Sequence, residues 1–258
     1  MYEKELFFAK KACKNASKVI LDIYSKNITF DLKSDNSPVT EADKKSDILI
    51  RNLLSQNFSY SFLTEESEDD LKRLDDDYVW IVDPLDGTKD FIARDGDFTT
   101  NIALSYKHDI VLGVVLVHLT GDIYFAVKGQ GAYVEHSNGV IERIHVNNKL
   151  KDLTVLISVF HFNELEREMI NKHSGTIRHI QKCGSSMKAC KIASGEAELS
   201  YRFFGHTKEW DTAAPQIIVE EAGGIFLKPN GDKMKYNRRD VYNREGYIIA
   251  NRLENLLL

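Results

Sequence analysis

The chain has 258 residues, 43% hydrophobic, 28% charged and 10% aromatic, enough for one large domain or two modest ones around a substantial core. A formal net charge of −5 argues against general nucleic-acid binding through a basic surface. No apolar run approaches membrane-spanning length, and Met1-Tyr2-Glu3-Lys4-Glu5 lacks a signal-peptide layout. Cys13, Cys183 and Cys190 are scattered without CxxC spacing, as expected of reduced thiols in the cytosol and against a zinc site.

Residues 2–24 repeat Leu6, Ala9, Cys13, Ala16 and Ile20 at helical spacing with lysines between them, which predicts an amphipathic helix on a core. Residues 28–33 alternate like a half-buried strand, and Ser34-Asp35-Asn36-Ser37-Pro38 reads as a turn. A second helix is expected from Thr40 to about Leu54, with Glu41 and Asp43 at its positive end. Residues 60–64 form a short strand ending in Glu65-Glu66. The acidic residues 68–70 and 75–77 that follow read as solvated loop, with no role assigned.

The next run, residues 78–82, is apolar and stops in Asp83-Pro84-Leu85-Asp86-Gly87-Thr88. Pro84 cannot donate to a sheet ladder, so the strand must end or bend there. Asp83 and Asp86 are then held close by a turn, beside a glycine where backbone can approach a ligand. Such a pair suits a hard divalent cation and a phosphate group; a turn with aspartate caps is the plainer alternative. If the strands ending at 64 and 82 are neighbours, Glu65 and Asp83 come together.

Residues 99–106, 110–119, 122–127 and 132–135 are strand-like with tight connections, which predicts an antiparallel sheet. From residue 153 strands and helices alternate: strand 153–159, a helix after Asn163, strand 177–181, a helix from Ser185 to Gly195, strand 196–203, a helix from about Trp210 to Ala222, strands near 224–227 and 247–250, and a terminal helix. The expected fold class is α/β, with a first half over 1–150 that carries the antiparallel sheet and an alternating α/β half over 151–258. The boundary falls at Asn147-Asn148-Lys149.

Five carboxylates at element ends stand out: Asp43, Glu65, Asp83, Asp86 and Asp211. Converging without lysine or arginine nearby, they would repel one another unless cations neutralised them. Magnesium fits, taking oxygen ligands at ~2.0–2.1 Å while keeping waters that a substrate phosphate can displace. Two such ions ~3.5–4 Å apart polarise a phosphoryl group and activate water, so hydrolysis of a phosphate monoester needs no covalent nucleophile. The eight histidines (His108, His118, His136, His145, His161, His173, His179 and His206) form no i, i+4 ligand pair. Asp86, three residues beyond Asp83, also breaks the Asp-x-Asp arrangement of aspartyl-phosphate phosphatases.

Asp83-Pro-Leu-Asp86-Gly-Thr88 and Trp210-Asp211-Thr-Ala-Ala214 resemble the two signatures of the inositol monophosphatase superfamily of metal-dependent, lithium-sensitive phosphatases. Leu63-Thr64-Glu65-Glu66-Ser67 is similar to its glutamate loop, and residues 33–43 to its N-terminal loop. Within the superfamily the likeness is to the CysQ-type 3′(2′),5′-bisphosphate nucleotidases, through residues 33–40, 83–92, 184–188 and 201–203. The resemblance implies a layered αβαβα sandwich, related to fructose-1,6-bisphosphatase, in which an α+β half over 1–150 binds metal and the α/β half over 151–258 completes the metal site and binds the nucleotide. It also implies conversion of 3′-phosphoadenosine 5′-phosphate to AMP and phosphate, clearing a by-product of sulfate assimilation.

It further implies two or three Mg2+ ions: Glu65, Asp83 and the Leu85 carbonyl at the first, Asp83, Asp86 and Asp211 at the second, and Glu65 at a third. Asp43 and Thr88, with Glu65, would orient and deprotonate the attacking water, and the amides of Gly87 and Thr88 would grip the phosphate. His161, Ser185, Lys188 and Arg202 occupy the places of nucleotide contacts. Val159 and Phe160 before His161 depart from the more polar run of that branch. An inositol or other sugar phosphatase of the same superfamily is the rival reading, and a non-catalytic regulatory or RNA-associated protein a further one. The expected partner is a small nucleotide bisphosphate, with no nucleic acid and no transmembrane segment. The expected state is a monomer or homodimer in the cytoplasm, free or held peripherally at the inner membrane.

Overall fold

In the computed structural model, which describes residues 1–205 and 207–256, the N-terminal helix forms as α1 (Glu3–Tyr24) and turns Ala9, Cys13, Ala16 and Ile20 inward. A hairpin follows, β1 (Phe30–Leu32) against β2 (Pro38–Thr40). All three residues of β1 are exposed, so the expected half-buried strand is instead the outer strand of the hairpin, and it is β2 that buries Val39 and Thr40. Thr40 caps α2 (Glu41–Ser55): its hydroxyl accepts from Ala42 N at 3.1 Å, and Asp43 reaches back to Thr40 N at 2.7 Å.

A seven-stranded sheet comes next, in the order β3 (Ser61–Thr64), β4 (Tyr78–Asp86), β5 (Thr99–Tyr106), β6 (Asp109–Val117), β7 (Ile123–Val127), β8 (Ala132–Glu135) and β9 (Ile141–Ile144). Only β3 and β4 run parallel, with Thr64 opposite Val82, so the strand ends carrying Glu65 and Asp83 lie side by side. The other neighbours are antiparallel, as the tight connections predict. The β4 strand does not stop at Asp83. It bulges through Pro84 and Leu85 and resumes at Asp86 opposite Thr99, which bends its end and leaves both aspartates at the rim. Sequence periodicity misses the short helix α3 (Thr88–Ala93) and the edge strand β9.

The second sheet is ordered β11 (Ile177–Lys182), β10 (Leu153–Ile157), β12 (Leu199–Phe203), β14 (Gly246–Ala250), β13 (Ile225–Leu227). Its β10 runs parallel to β11 and β12, and β14 runs antiparallel to its neighbours. The helices here are α4 (Glu164–Lys172), α5 (Met187–Ala193) and α6 (Glu209–Glu221). The expected terminal helix is a single 3-10 turn, Leu253–Asn255.

Three apolar cores define the layering. Trp80, Val82, Ile102 and Leu104 face α1 and α2. On the opposite face Val79, Ile81 and Ala103 join α5, α6 and the near side of the second sheet through Ile192, Ile217, Phe226 and Ile249. The far side of that sheet, Val155, Leu199 and Ile248, is covered by Ile170 of α4. Alternate residues of β4 and β5 thus feed different cores, as period-2 geometry requires. The result is an αβαβα sandwich. The acidic run is partly structural: Asp69 pairs with buried Arg73 at 2.7 Å, and Arg73 donates to Asn237 Oδ1 at 2.7 Å.

Candidate metal centre and active site

The acidic ends of β3 and β4, the start of α3, and the N-terminal ends of α5 and α6 open onto one pocket of about 350 Å³. Asp83 is 1% exposed. Its Oδ1 accepts Leu85 N at 3.0 Å, while Oδ2 is buried with no hydrogen-bond partner. Asp86 Oδ2 accepts from Ser186 N and Oγ at 2.7 and 2.6 Å and from Asn101 Nδ2 at 3.1 Å. Asp211, in the first turn of α6, accepts Lys208 N at 2.5 Å. One carboxylate oxygen from each of these three residues lies within 4.8 Å of the others.

Burial first, then the charges of Glu65, Asp86 and Asp211, push the Asp83 carboxyl well above the usual carboxylate range. Burial, then Asp86 and Glu65, lifts Asp211 to about 8. Like charges are thus gathered without enough internal compensation, and Asp83 keeps a buried oxygen unspent. A hard divalent cation supplies what both features lack, so the residues fit one.

The expectation that the acids gather without a basic residue nearby needs correcting. Lys33, from the loop between β1 and β2, places its ammonium 2.8 Å from Glu65 and 2.5 Å from Glu66. Burial works to lower the Lys33 pKa, but the glutamate charges outweigh it and raise the value. Glu66 rises to about 7, through burial and then Glu65, against the pull of Lys33. Across the pocket Asp35 of the same loop faces Lys208 at 3.4 Å.

Asp43 is 1% exposed, and burial raises its pKa against the hydrogen bonds from Thr40. Thr88 Oγ1 lies 2.9 Å from Asp43 Oδ1 and 3.3 Å from the Leu85 carbonyl, so helix cap and pocket hydroxyl meet on one carboxylate. Gly87, at φ 91°, begins α3, and a Cβ there would come within 2.8 Å of the Asp97 carbonyl.

His161, Ser185, Lys188 and Arg202 all line the same pocket. Lys188 Nζ donates to the carbonyls of Ser185 and Cys183 at 2.7 and 3.3 Å. Arg202 donates to the His161 carbonyl and lies 3.3 Å from Glu166. Both cations, read from sequence as substrate contacts, therefore also hold the pocket wall together. His206 lies outside the described residues.

Sequence reasoning missed Asn101, Ser186 and the pocket-lining Lys208. A polar Asn101 inside the buried run of β5 is the signal that could have found the first.

A profile of the inositol monophosphatase family matches residues 1–258. The chain belongs to that family. It is 34% identical over 237 residues to the 3′(2′),5′-bisphosphate nucleotidase CysQ of Aggregatibacter actinomycetemcomitans, covering 88% of this chain and 85% of that one. It is 32% identical over 256 residues to the Nus factor SuhB of Pasteurella multocida, covering 95% and 90%. The solved structure of CysQ from Bacteroides thetaiotaomicron superposes with a TM-score of 0.84 at 34% identity, over 98% of this chain and 99% of that one. Family membership makes this protein a phosphatase acting on a small phosphorylated molecule, with an acidic group suited to metal. No helix among the described residues is long and apolar enough to cross a membrane.

Proposed function

We propose that this protein is a magnesium-dependent, lithium-sensitive phosphatase that removes the 3′-phosphate of 3′-phosphoadenosine 5′-phosphate, giving AMP and inorganic phosphate. The observation that carries the chemistry is the buried, unpartnered Asp83 Oδ2 grouped with Asp86 and Asp211. The CysQ relatives at 34% identity support the nucleotide substrate.

Asp83, Asp86 and Asp211, with the Leu85 carbonyl, are the residues that would hold magnesium, and Glu65 joins them on exchanging its Lys33 partner. Magnesium, when bound, supplies Lewis-acid stabilisation of phosphoryl charge and activation of water. Thr88 donates its hydroxyl proton to Asp43 and so turns an oxygen lone pair toward a water in the pocket. That water passes a proton to Thr88 Oγ1 as the Thr88 proton moves to Asp43, which acts as general base through the hydroxyl. The Gly87 and Thr88 amides at the start of α3 face the departing phosphate. Ser185, Lys188, Arg202 and His161 line the side that receives the rest of the nucleotide.

One observation favours a second reading, a sugar monophosphate substrate: Lys188 and Arg202 are both engaged with backbone carbonyls, and Arg202 also with Glu166. Side-by-side kcat/KM on 3′-phosphoadenosine 5′-phosphate and inositol 1-phosphate with magnesium separates the two. A large preference for the bisphosphate is expected; a large preference for the inositol ester would transfer the assignment.

A further inference from the structure

Asp86 is held differently from the other two acids of the group. Its Oδ2 receives Ser186 N at 2.7 Å, Ser186 Oγ at 2.6 Å and Asn101 Nδ2 at 3.1 Å, with the Thr99 hydroxyl more distant at 3.5 Å. The donors also bond each other, since Asn101 Nδ2 lies 2.8 Å from Ser186 Oγ, and Asn101 Oδ1 accepts from Thr99 Oγ1 at 3.2 Å. Asn101 is 1% exposed and Ser186 5%, so water does not compete for these bonds. Together they fix the carboxylate's rotation and leave Oδ1 as the oxygen open to a cation.

The two donors come from different layers. Asn101 sits on β5, opposite Asp83 in the β4–β5 register. Ser186 is the residue before α5, on a segment that is itself clamped. Gly184 N donates to Asp97 Oδ2 at 2.7 Å, and a Cβ at 184 would sit 2.7 Å from Asp97 Cβ, so only glycine fits. Lys188 closes the other side by binding the Cys183 and Ser185 carbonyls. Ser185 and Ser186 both line the pocket, and Ser186 is the one that grips Asp86.

We propose that Ser186 and Asn101 are positioning residues that orient Asp86 for cation binding. The proposal rests on the metal-dependent reading above. Ligand-orienting partners of this kind typically contribute ~10–100-fold in metal affinity or activity.

The test is calorimetric titration of MgCl2 alone into metal-free wild type, Ser186→Ala, Ser186→Thr and Asn101→Ala, with kcat and KM measured in parallel. Ser186→Ala keeps the backbone donor and loses only the hydroxyl, so about tenfold weaker magnesium binding is expected. At saturating magnesium its KM should stay within about twofold. Ser186→Thr, which retains Oγ, should recover most of the affinity. Asn101→Ala should weaken binding similarly, and the double variant should fall short of the product of the two because they share one network. Should Asn101→Ala not fold, the Ser186 pair alone decides. Magnesium affinity within twofold of wild type in Ser186→Ala would overturn this proposal and leave the phosphatase reading standing. A wild-type protein that binds no divalent cation would overturn both.

Discussion

The ammonium of Lys33 sits 2.8 Å from the carboxylate of Glu65, where the family resemblance places a metal ion. A single lysine thus provides internally part of the positive charge that the acid cluster requires, and it reaches Glu66 as well. Removing it should act in opposite directions on the two states. Lys33→Met is expected to lower the melting temperature of the metal-free protein, because Glu65 and Glu66 lose their counter-charge. It should also enlarge the stabilisation that added magnesium brings, since no ammonium has to leave. Thermal melts with and without magnesium check this; an unchanged magnesium-induced shift would mean that Lys33 and the metal do not share Glu65.

Asp83→Asn and Asp211→Asn each keep shape and remove a charge from the group. Phosphate release should fall by orders of magnitude, at least about 100-fold, through kcat rather than KM. The metal-free fold should not weaken, because each change also removes repulsion. Activity surviving unchanged in Asp83→Asn would point to a contaminating enzyme.

Metal-free stability should decline as pH rises. Asp211 and Asp90 are both raised to about 8, Asp211 by burial and then Asp86, Asp90 by burial and then Asp95. A carboxyl whose folded pKa lies above its unfolded value binds more protons when folded, so unfolding becomes easier as pH climbs from about 4 toward 8. Melts in chelator at pH 5.5 and 8.5 should give the lower temperature at 8.5. Magnesium should stabilise more at 8.5, where it no longer competes with protons. A melting temperature that climbs with pH in chelator would contradict the assignment.

Arg202→Ala is expected to raise KM for the bisphosphate and to destabilise the protein as well. Glu166 is 1% exposed and would lose its only salt-bridge partner among the described residues. Breaking such a buried pair costs about 3–5 kcal/mol, or roughly 10 °C in a chain of this size. Denaturation melts alongside kinetics separate the effects. A higher KM at unchanged stability would make Arg202 a substrate contact alone.

The acids at 83, 86 and 211 are legible in the sequence because each sits where an apolar run or a helix start breaks off, and such places lie at the rim of a layer. The β3–β4 adjacency that joins Glu65 to Asp83 follows the same logic. Local pattern does not reveal which serine of Ser185-Ser186 holds Asp86. That depends on the left-handed backbone at Ser185, φ 42°, between Gly184, whose N–H is held by Asp97 from 87 residues away, and Lys188, which binds the Ser185 carbonyl. Lys33 is hidden for a similar reason: a lysine in a polar loop has no period, and its partners lie 32 and 33 residues on. Helix α3, six residues long, is too short for periodicity, and β9 has a mostly exposed face with little apolar signal.

The central claim is that Asp83, Asp86 and Asp211 form one cation site, and Mn2+ titration followed by electron paramagnetic resonance tests it most directly. Metal-free wild type is expected to take up Mn2+ saturably, while Asp83→Asn, with unaltered circular dichroism, loses at least about tenfold in affinity. Equal uptake by the two proteins would contradict it.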